Sequence, residues 1–290
     1  MKSLSGILPA LPTPYNEKDE VDFDSLGKLI EFTLDRGVSG FYVTGSTGEA
    51  FLLSDEERRA VLKFVAEAVN GRAALIAHVG CMSTKKSCAL GAFAAEQGYD
   101  YISSVAPMYY AYSFAEIKKY YFDVADAAGV PMLIYNVPAL SGVRFSVDNI
   151  AEFLADRRFA GVKHTSADYF ALRQMKTAFP DKALLNGYDE TCLAGLCMGA
   201  DGAIGSTYNF MPDKFVKIYE LFRENRIPEA MEIQKQADVI IAALIKAGVI
   251  PAMKAILTEM GFPMGDARAP FAPLEAEKKQ ELLETVMPML

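Results

Sequence analysis

The sequence contains few residues of the two types that most often hold transition metals. Its 290 residues include two histidines, His78 and His164, and four cysteines, at positions 81, 88, 192 and 197. No two cysteines form a close CxxC pair, so clustered zinc ligands are not expected. A disulfide framework is equally unexpected in a chain this long and this poor in cysteine. We therefore predict reduced thiols, no metal site, and histidines that pack or form hydrogen bonds.

The chain also lacks an excess of positive charge and a long apolar stretch. Lysine and arginine total 29 against 37 aspartates and glutamates, which gives a formal net charge of -8. This balance argues against a nucleic-acid-binding protein but leaves room for a small anionic substrate. No apolar stretch is long enough and free enough of charges for a membrane helix. The start, MKSLSGILPALPTPYN, has no clear cleavage site, so we expect a cytoplasmic protein.

Short apolar runs alternate with amphipathic segments along most of the chain. Eight runs are typical of strands, and they begin near residues 6, 40, 74, 101, 131, 159, 183 and 202. Eight strand–helix units in about 220 residues predict an α/β protein with a (β/α)8 TIM barrel. A doubly wound open sheet is the alternative. It normally carries a glycine-rich phosphate loop after the first strand, where this chain has ALPTPYN.

The last part of the chain has helical patterns and no convincing strand. Breaks in these patterns fall near Pro228, Pro251 and Pro263. We therefore predict a catalytic barrel over residues 1–224 and a C-terminal helical extension over residues 225–290.

Lys163 is unusual because it lies inside the sixth apolar run, FAGVKHT. Period-two alternation puts Gly161, Lys163 and Thr165 on one face of this strand, and Val162 and His164 on the other. If the first face points inward, Lys163 lies near the carboxyl ends of the strands, where barrel enzymes place their active sites. Burial disfavours the ammonium form, and a neutral amine can form a Schiff base with a ketone. The alternative is a lysine that reaches the surface or pairs with a carboxylate.

A polar loop, GSTGEAF, follows the second apolar run from Gly45 to Phe51. Its two glycines let a ligand approach the backbone, and Ser46 and Thr47 add hydroxyl donors beside the backbone N–H groups. Such a loop can hold a carboxylate without an arginine. Taken alone, an ordinary polar turn explains the same residues.

Later runs also end in polar residues. Tyr135 in YNVP is placed to relay protons between a Schiff-base lysine and a substrate hydroxyl, although a tyrosine at the edge of the core explains it equally well. The seventh run ends in NGYDE and the eighth in GSTYN. Asp189 and Glu190 also suit the N-terminus of a helix, whose dipole favours acidic side chains.

Together these segments resemble the N-acetylneuraminate lyase subgroup of the class I pyruvate-dependent aldolases, a group that also contains dihydrodipicolinate synthase. The resemblance runs in order through GILPALPTPY, FYVTGSTGEAF, LIAHVGC, YNVPALSGV, GVKHTS, NGYDE and ADGAIGSTYN. GSTGE and YNVP mark the superfamily, whereas PALSGV and NGYDE are closer to the lyase subgroup. The resemblance implies reversible cleavage of N-acetylneuraminate to N-acetylmannosamine and pyruvate, without a cofactor, by a homotetramer.

The resemblance also implies roles for individual residues. Lys163 would form the Schiff base, Tyr135 would relay protons, and Tyr109 in PMYYAYS would lie near the site at a subunit contact. The implied substrate-binding residues are Ser46 and Thr47 for the pyruvyl carboxylate, and Thr165, Gly187, Asp189, Glu190 and Ser206 for the sugar-derived chain.

Two other aldolases and a non-enzymatic protein are the alternatives. Dihydrodipicolinate synthases usually have an arginine after YNVP, near the place where this chain has Leu140. A 2-keto-3-deoxy sugar acid aldolase would take a shorter substrate. A catalytically silent binding protein would not need both Lys163 and Tyr135, and this sequence retains both.

Overall fold

The computed structural model describes residues 2–290 and contains one ring of parallel strands. The strands are β1 Gly6–Pro9, β2 Gly40–Val43, β3 Ala74–His78, β4 Tyr101–Val105, β5 Met132–Asn136, β6 Phe159–His164, β7 Ala183–Asn186 and β8 Gly202–Gly205. Their order is β1-β8-β7-β6-β5-β4-β3-β2, and a bridge between Ala10 and Tyr42 closes the ring. The predicted (β/α)8 TIM barrel is therefore confirmed, and the open sheet is not.

Helices cover the outside of the ring and form the C-terminal extension. Their bounds are α1 Phe23–Leu34, α2 Asp55–Val69, α3 Thr84–Glu96, α4 Phe114–Ala128, α5 Pro138–Ser141, α6 Val147–Leu154, α7 Tyr169–Ala178, α8 Cys192–Cys197, α9 Pro212–Arg223, α10 Ile227–Ala247, α11 Val249–Glu259 and α12 Ala276–Val286. Short 3-10 turns lie at Asp189–Thr191, Thr207–Asn209 and Met287–Met289.

Helix α2 shows how local sequence sets a helix end. The Ser54 hydroxyl accepts from Glu57 N at 3.1 Å, and the Glu57 carboxylate accepts from Ser54 N at 2.7 Å. This reciprocal pair is the capping box that the Ser54–Glu57 spacing predicts. The helix stops at Val69, because Asn70 takes a left-handed conformation with φ 44°.

Two apolar layers follow from the alternation along the strands. Leu8, Ile76, Leu133, Leu185 and Ile204 belong to the smaller cluster, which fills the inside of the ring. The neighbouring residues of the same strands face the helices and join a much larger cluster. A polar side chain on the inner face is therefore enclosed by the ring unless it lies at one end.

The C-terminal extension packs against the barrel and shares its outer core. Buried residues of α10 to α12, such as Ile240, Ile256 and Val286, belong to the same cluster as the barrel helices. The division at residues 224 and 225 falls between α9 and α10 and stays a prediction. Among the described residues no single helix is long and apolar enough to cross a membrane, and α10 with α11 reaches that limit only as a pair bent by 118°.

Candidate active site

Lys163 lies inside the ring, between two aromatic rings. It pairs in register with Tyr135 of β5, and both residues are buried. Lys163 Nζ is 4.2 Å from the ring centroid of Tyr135 and 4.3 Å from that of Tyr42. None of the ion pairs between residues 2 and 290 involves Lys163. The amine is therefore held by aromatic faces, and it neither reaches the surface nor pairs with a carboxylate.

The other face of β6 points away from the ring interior, as the alternation predicts. Val162 joins the core under the helices. His164 is buried, with Nδ1 3.1 Å from Asn136 Nδ2 and Nε2 3.1 Å from Asp168 O. Burial lowers the pKa of His164, so the neutral ring is favoured. His164 is a hydrogen-bonding residue behind the strand, which agrees with its predicted packing role.

His78 is also buried, at the end of β3. Its Nδ1 lies 2.9 Å from Thr44 O, and its Nε2 accepts from Val105 N at 3.3 Å. Burial, together with the nearby Arg58 charge, lowers the pKa of His78 to about 3, so the ring is neutral at pH 7. Its ring centroid is 6.1 Å from that of Tyr135. Within residues 2–290, no group of three His, Cys, Asp or Glu side chains is arranged to hold a metal ion.

The GSTGEAF loop turns sharply at the end of β2. Gly48 N and Ala50 N both donate to Gly45 O, at 3.1 and 3.2 Å, and Thr13 Oγ1 donates to Gly48 O at 2.7 Å. Ser46 and Thr47 are half-buried at the tip of this turn. Within the described part of the chain, their N–H and hydroxyl groups have no hydrogen-bond partner. The loop therefore offers adjacent donors to an anion.

Thr165 and Gly187 approach each other closely at the ends of β6 and β7. Thr165 N donates to Asn136 O at 2.8 Å, and Gly187 N donates to His164 O at 2.9 Å. A Cβ atom at position 187 would lie 1.9 Å from Thr165 Oγ1, so only glycine fits there. The Thr165 hydroxyl is buried and has no partner among residues 2–290. A buried hydroxyl without a partner is available to a ligand.

Asp189 connects the ends of β7 and β8. Its Oδ2 accepts from Thr207 N at 2.9 Å and from Thr207 Oγ1 at 2.6 Å. Burial raises the pKa of Asp189 to about 6, although the two Thr207 hydrogen bonds oppose the shift. The carboxylate therefore bonds across to the end of β8 and does not cap its own helical turn. Glu190 and Ser206 are half-buried beside it.

Tyr109 is placed differently from the other predicted site residues. Its side chain is 85% exposed, and its ring centroid is 5.0 Å from that of Tyr110. Its backbone has φ 82°, a left-handed value that is rare for a bulky residue. Within one chain Tyr109 therefore does not join the buried pair of Lys163 and Tyr135.

Sequence reasoning missed three groups that the structure brings to the site. Tyr42 forms the second aromatic wall beside Lys163, Thr207 holds Asp189, and Glu49 forms a buried ion pair with Lys254. The inward register of Tyr42 in the second apolar run is a signal that could have identified it. The Thr207–Asp189 and Glu49–Lys254 contacts join residues that are far apart in the chain, so no local pattern identifies them.

Comparisons with known proteins agree with this geometry. Residues 3–288 match the profile described as "Dihydrodipicolinate synthetase family". The chain is 44% identical over 287 residues to an N-acetylneuraminate lyase of Rhizobium meliloti, which covers 99% of this chain and 96% of the relative. It superimposes on CdNal of Clostridium difficile, a structure in complex with mannosamine, with TM-score 0.96, 34% identity and coverage of 99% and 100%. An N-acetylneuraminate lyase of Fusobacterium nucleatum complexed with pyruvate gives TM-score 0.94 and 34% identity, with coverage of 99% and 97%.

Proposed function

Because the chain belongs to the dihydrodipicolinate synthetase family, we propose that it catalyses the reversible aldol cleavage of N-acetylneuraminate to N-acetylmannosamine and pyruvate. The observation that carries this proposal is the buried amine of Lys163 between the rings of Tyr42 and Tyr135. The enzyme is a class I aldolase, a carbon–carbon lyase, like the relatives that share its whole length.

The proposed reaction begins at Lys163. The amine in its unprotonated form attacks the keto carbon of the substrate, and loss of water with uptake of one proton leaves a protonated imine. This imine withdraws electrons from the bond between the α and β carbons of the keto acid. As the hydroxyl on the β carbon loses its proton, that bond breaks, N-acetylmannosamine leaves as the aldehyde, and an enamine remains on Lys163. The enamine then takes up a proton, and water hydrolyses the imine to release pyruvate and the free amine. Each step uses only the substrate, water and side chains of the chain.

Tyr135 is the proposed proton carrier. Bond breaking requires removal of the proton from the hydroxyl on the far carbon, and the Tyr135 ring lies beside the reacting amine. The phenolic group passes this proton on as part of a relay that includes the substrate carboxylate. The position of Tyr135 beside Lys163 is therefore the feature that this role requires.

Residues at the ends of different strands are proposed to bind different parts of the substrate. Ser46 and Thr47 offer donors to the pyruvyl carboxylate at one side of the ring. The hydroxyl-rich tail lies against the groups that follow β6, β7 and β8, which are Thr165, Gly187, Asp189, Glu190 and Ser206. The half-buried Glu190 carboxylate can accept from two neighbouring hydroxyls of such a tail.

Leu140 favours this substrate over that of dihydrodipicolinate synthase. Its side chain is 63% exposed in α5, just after the Tyr135 strand. It offers no charge to a second carboxylate, whereas the arginine of the synthases would. A shorter 2-keto-3-deoxy acid lacks a long tail and would leave the Glu190 side of the site without hydrogen bonds.

We also propose that the enzyme is a cytoplasmic homotetramer. The exposed pair Tyr109 and Tyr110 supports association, because large aromatic side chains at the surface are typical of protein contacts. In this arrangement Tyr109 of one subunit would reach the site of a neighbour. Sedimentation measures the oligomeric state directly, and a stable monomer would contradict this part of the proposal.

Trapping of the imine tests the central step. Incubation with pyruvate and borohydride is expected to leave a stable adduct on Lys163, identified by peptide mass spectrometry. A parallel panel offers N-acetylneuraminate, shorter keto-deoxy acids, and pyruvate with aspartate semialdehyde. Label on another lysine would overturn the assignment of Lys163, and turnover of aspartate semialdehyde without N-acetylneuraminate cleavage would overturn the lyase assignment.

A further inference from the structure

A buried ion pair joins the GSTGEAF loop to the C-terminal extension. Glu49 Oε1 in the loop lies 2.6 Å from Lys254 Nζ in α11, and the two side chains are 0% and 1% exposed. Glu49 Oε2 accepts from the backbone N of Arg268 at 2.7 Å. Lys254 Nζ also donates to Asp266 O at 3.1 Å. One loop carboxylate is thus held by two segments of the extension.

The surroundings of this pair are themselves fixed. Lys254 Nζ lies 4.0 Å from the ring centroid of Tyr15, and the Arg268 guanidinium lies 4.2 Å from the same ring. The Arg268 guanidinium also donates to both carboxylate oxygens of Glu57, at 2.8 and 2.6 Å. Glu57 belongs to the first turn of α2, directly after the loop. The extension therefore forms polar contacts with both the loop and helix α2, which follows it.

The loop needs such support because part of its backbone is strained. Glu49 in the loop has φ 56° and Thr44, directly before the loop, has φ 53°, both left-handed values in residues other than glycine. Strained conformations of this kind persist only when the surrounding contacts hold them. Glu49 N donates to Ser46 O at 3.1 Å, so the position of Glu49 is transmitted to the tip of the loop.

We propose that Lys254 is a positioning residue for the carboxylate end of the substrate. By holding Glu49, it keeps the donors of Ser46 and Thr47 in the arrangement that binds the pyruvyl carboxylate. This inference rests on the proposed function, since it assigns the loop to pyruvate. Lys254 lies outside the ring in α11 and acts only through Glu49, whereas Lys163 and Tyr135 lie on strands that the ion pair does not contact.

The experiment measures borohydride trapping of pyruvate on Lys163 as a function of pyruvate concentration. Lys254→Met is expected to raise the half-saturating pyruvate concentration by about tenfold or more and to change the limiting trapping rate by less than about threefold. Lys254→Arg keeps a cation beside Glu49, and its half-saturating pyruvate concentration is expected to lie between those of Lys254→Met and the parent. Lys246→Met is the matched control, because Lys246 belongs to the same extension and pairs with an exposed glutamate, Glu281.

The possible outcomes separate this inference from the proposed function. If the parent traps pyruvate on Lys163 and folded Lys254→Met does so at the parent half-saturation, the positioning role is wrong and the proposed function stands. If the parent traps no pyruvate, both are wrong. Should Lys254→Met fail to fold, the double variant Glu49→Gln/Lys254→Met removes both buried charges and is judged by the same half-saturation. A uniform loss of limiting rate without a change in half-saturation would also overturn the role.

Discussion

The loop after β2 and the turn after β7 both bring polar groups to the carboxyl ends of the strands, but different contacts hold them. The loop is fixed by a buried ion pair, in which Glu49 meets Lys254 of the extension. The turn is fixed by hydrogen bonds, in which Asp189 accepts from Thr207, and Asp189 O accepts from Gln234 of α10 at 3.1 Å. The extension contacts both, through a charge on one side and an amide on the other.

In the proposed binding mode the loop holds the pyruvyl end of the substrate and the turn holds its tail, so different kinds of contact support the two ends. A buried ion pair is rigid but fails if either partner is lost, because the remaining charge is left without compensation. The hydrogen bond from Gln234 to Asp189 O joins neutral groups and contributes about 0.5–1.5 kcal/mol, whereas each Thr207 bond to the ionised Asp189 carboxylate contributes about 1.5–3 kcal/mol. We therefore expect the pyruvyl side to respond sharply to changes in charge, and the tail side to respond gradually to substitutions and to pH.

The largest effect is expected from a substitution of Lys163, because the reaction of both the pyruvyl end and the long substrate depends on this residue. Lys163→Arg places a guanidinium where the imine must form, and an always-charged group cannot become the nucleophile. Turnover of N-acetylneuraminate is expected to fall by at least about a thousandfold, and pyruvate trapping to disappear. Steady-state kinetics and mass spectrometry check this. Retention of parent turnover would mean that the reaction does not pass through Lys163.

A substitution of Glu190 is expected to weaken binding of the tail without weakening binding of pyruvate. Glu190→Ala removes a carboxylate that can accept from two tail hydroxyls. It should lower kcat/KM for N-acetylneuraminate by at least about tenfold, which corresponds to about 1.4 kcal/mol. Trapping of pyruvate should be nearly unchanged, since pyruvate has no tail. Equal losses in both assays would show that Glu190 supports the fold or Lys163 instead.

A substitution of Gln234, which supports the turn after β7, is expected to have a smaller effect on binding of the tail. Gln234→Leu removes the bond to Asp189 O and the bond that Leu193 N donates to the Gln234 amide oxygen at 3.1 Å. We expect a loss of about three- to tenfold in kcat/KM for the long substrate and no change in pyruvate half-saturation. Gln280→Leu is the control, since Gln280 pairs with Glu284 at the surface. If pyruvate binding weakens as much as tail binding, the two sides are not held independently.

The smallest expected effect is a shift along the pH axis. The pKa of Asp189 is raised to about 6, so the carboxylate gains a proton as the pH falls through that value, and tail binding should weaken there. The Thr207 hydrogen bonds stabilise the ionised form. Thr207→Val should therefore move the acid limb of the kcat/KM profile to higher pH, by about half a unit to one unit. An acid limb that stays in place would assign it to a different group.

Much of the fold could be predicted because it follows from local patterns. The eight apolar runs form the eight strands, and period-two alternation correctly put Lys163 and His164 on opposite faces of β6, of which the structure shows the Lys163 face to be the inner one. These features depend on neighbouring residues only. The Glu49–Lys254 pair could not be predicted, because it joins residues 205 positions apart, and no pattern within a segment identifies such a partner.

The candidate site could be predicted only in part, for a related reason. Alternation and strand ends indicate which residues reach the mouth of the barrel, and they led to Tyr135, Ser46 and Asp189. They do not indicate which of these groups bond to one another. The Thr207 contact, which opposes the rise that burial causes in the pKa of Asp189, required three-dimensional placement. The role of Tyr109 lies beyond a single chain and stays a prediction.

The contact between Gly187 and Thr165 constrains the order in which this site can change by mutation. Any side chain at position 187 would collide with the Thr165 hydroxyl, since its Cβ would lie 1.9 Å away. Shortening Thr165 to alanine would remove this closest contact but leave the Cβ and Cα of residue 165 at 2.9 and 3.0 Å, so a substitution at Gly187 is less costly after that change than before it. The two positions are epistatic, because the effect of one replacement depends on whether the other came first. A search for altered sugar preference that varies single positions would miss this route, whereas a library that varies the pair together would contain it.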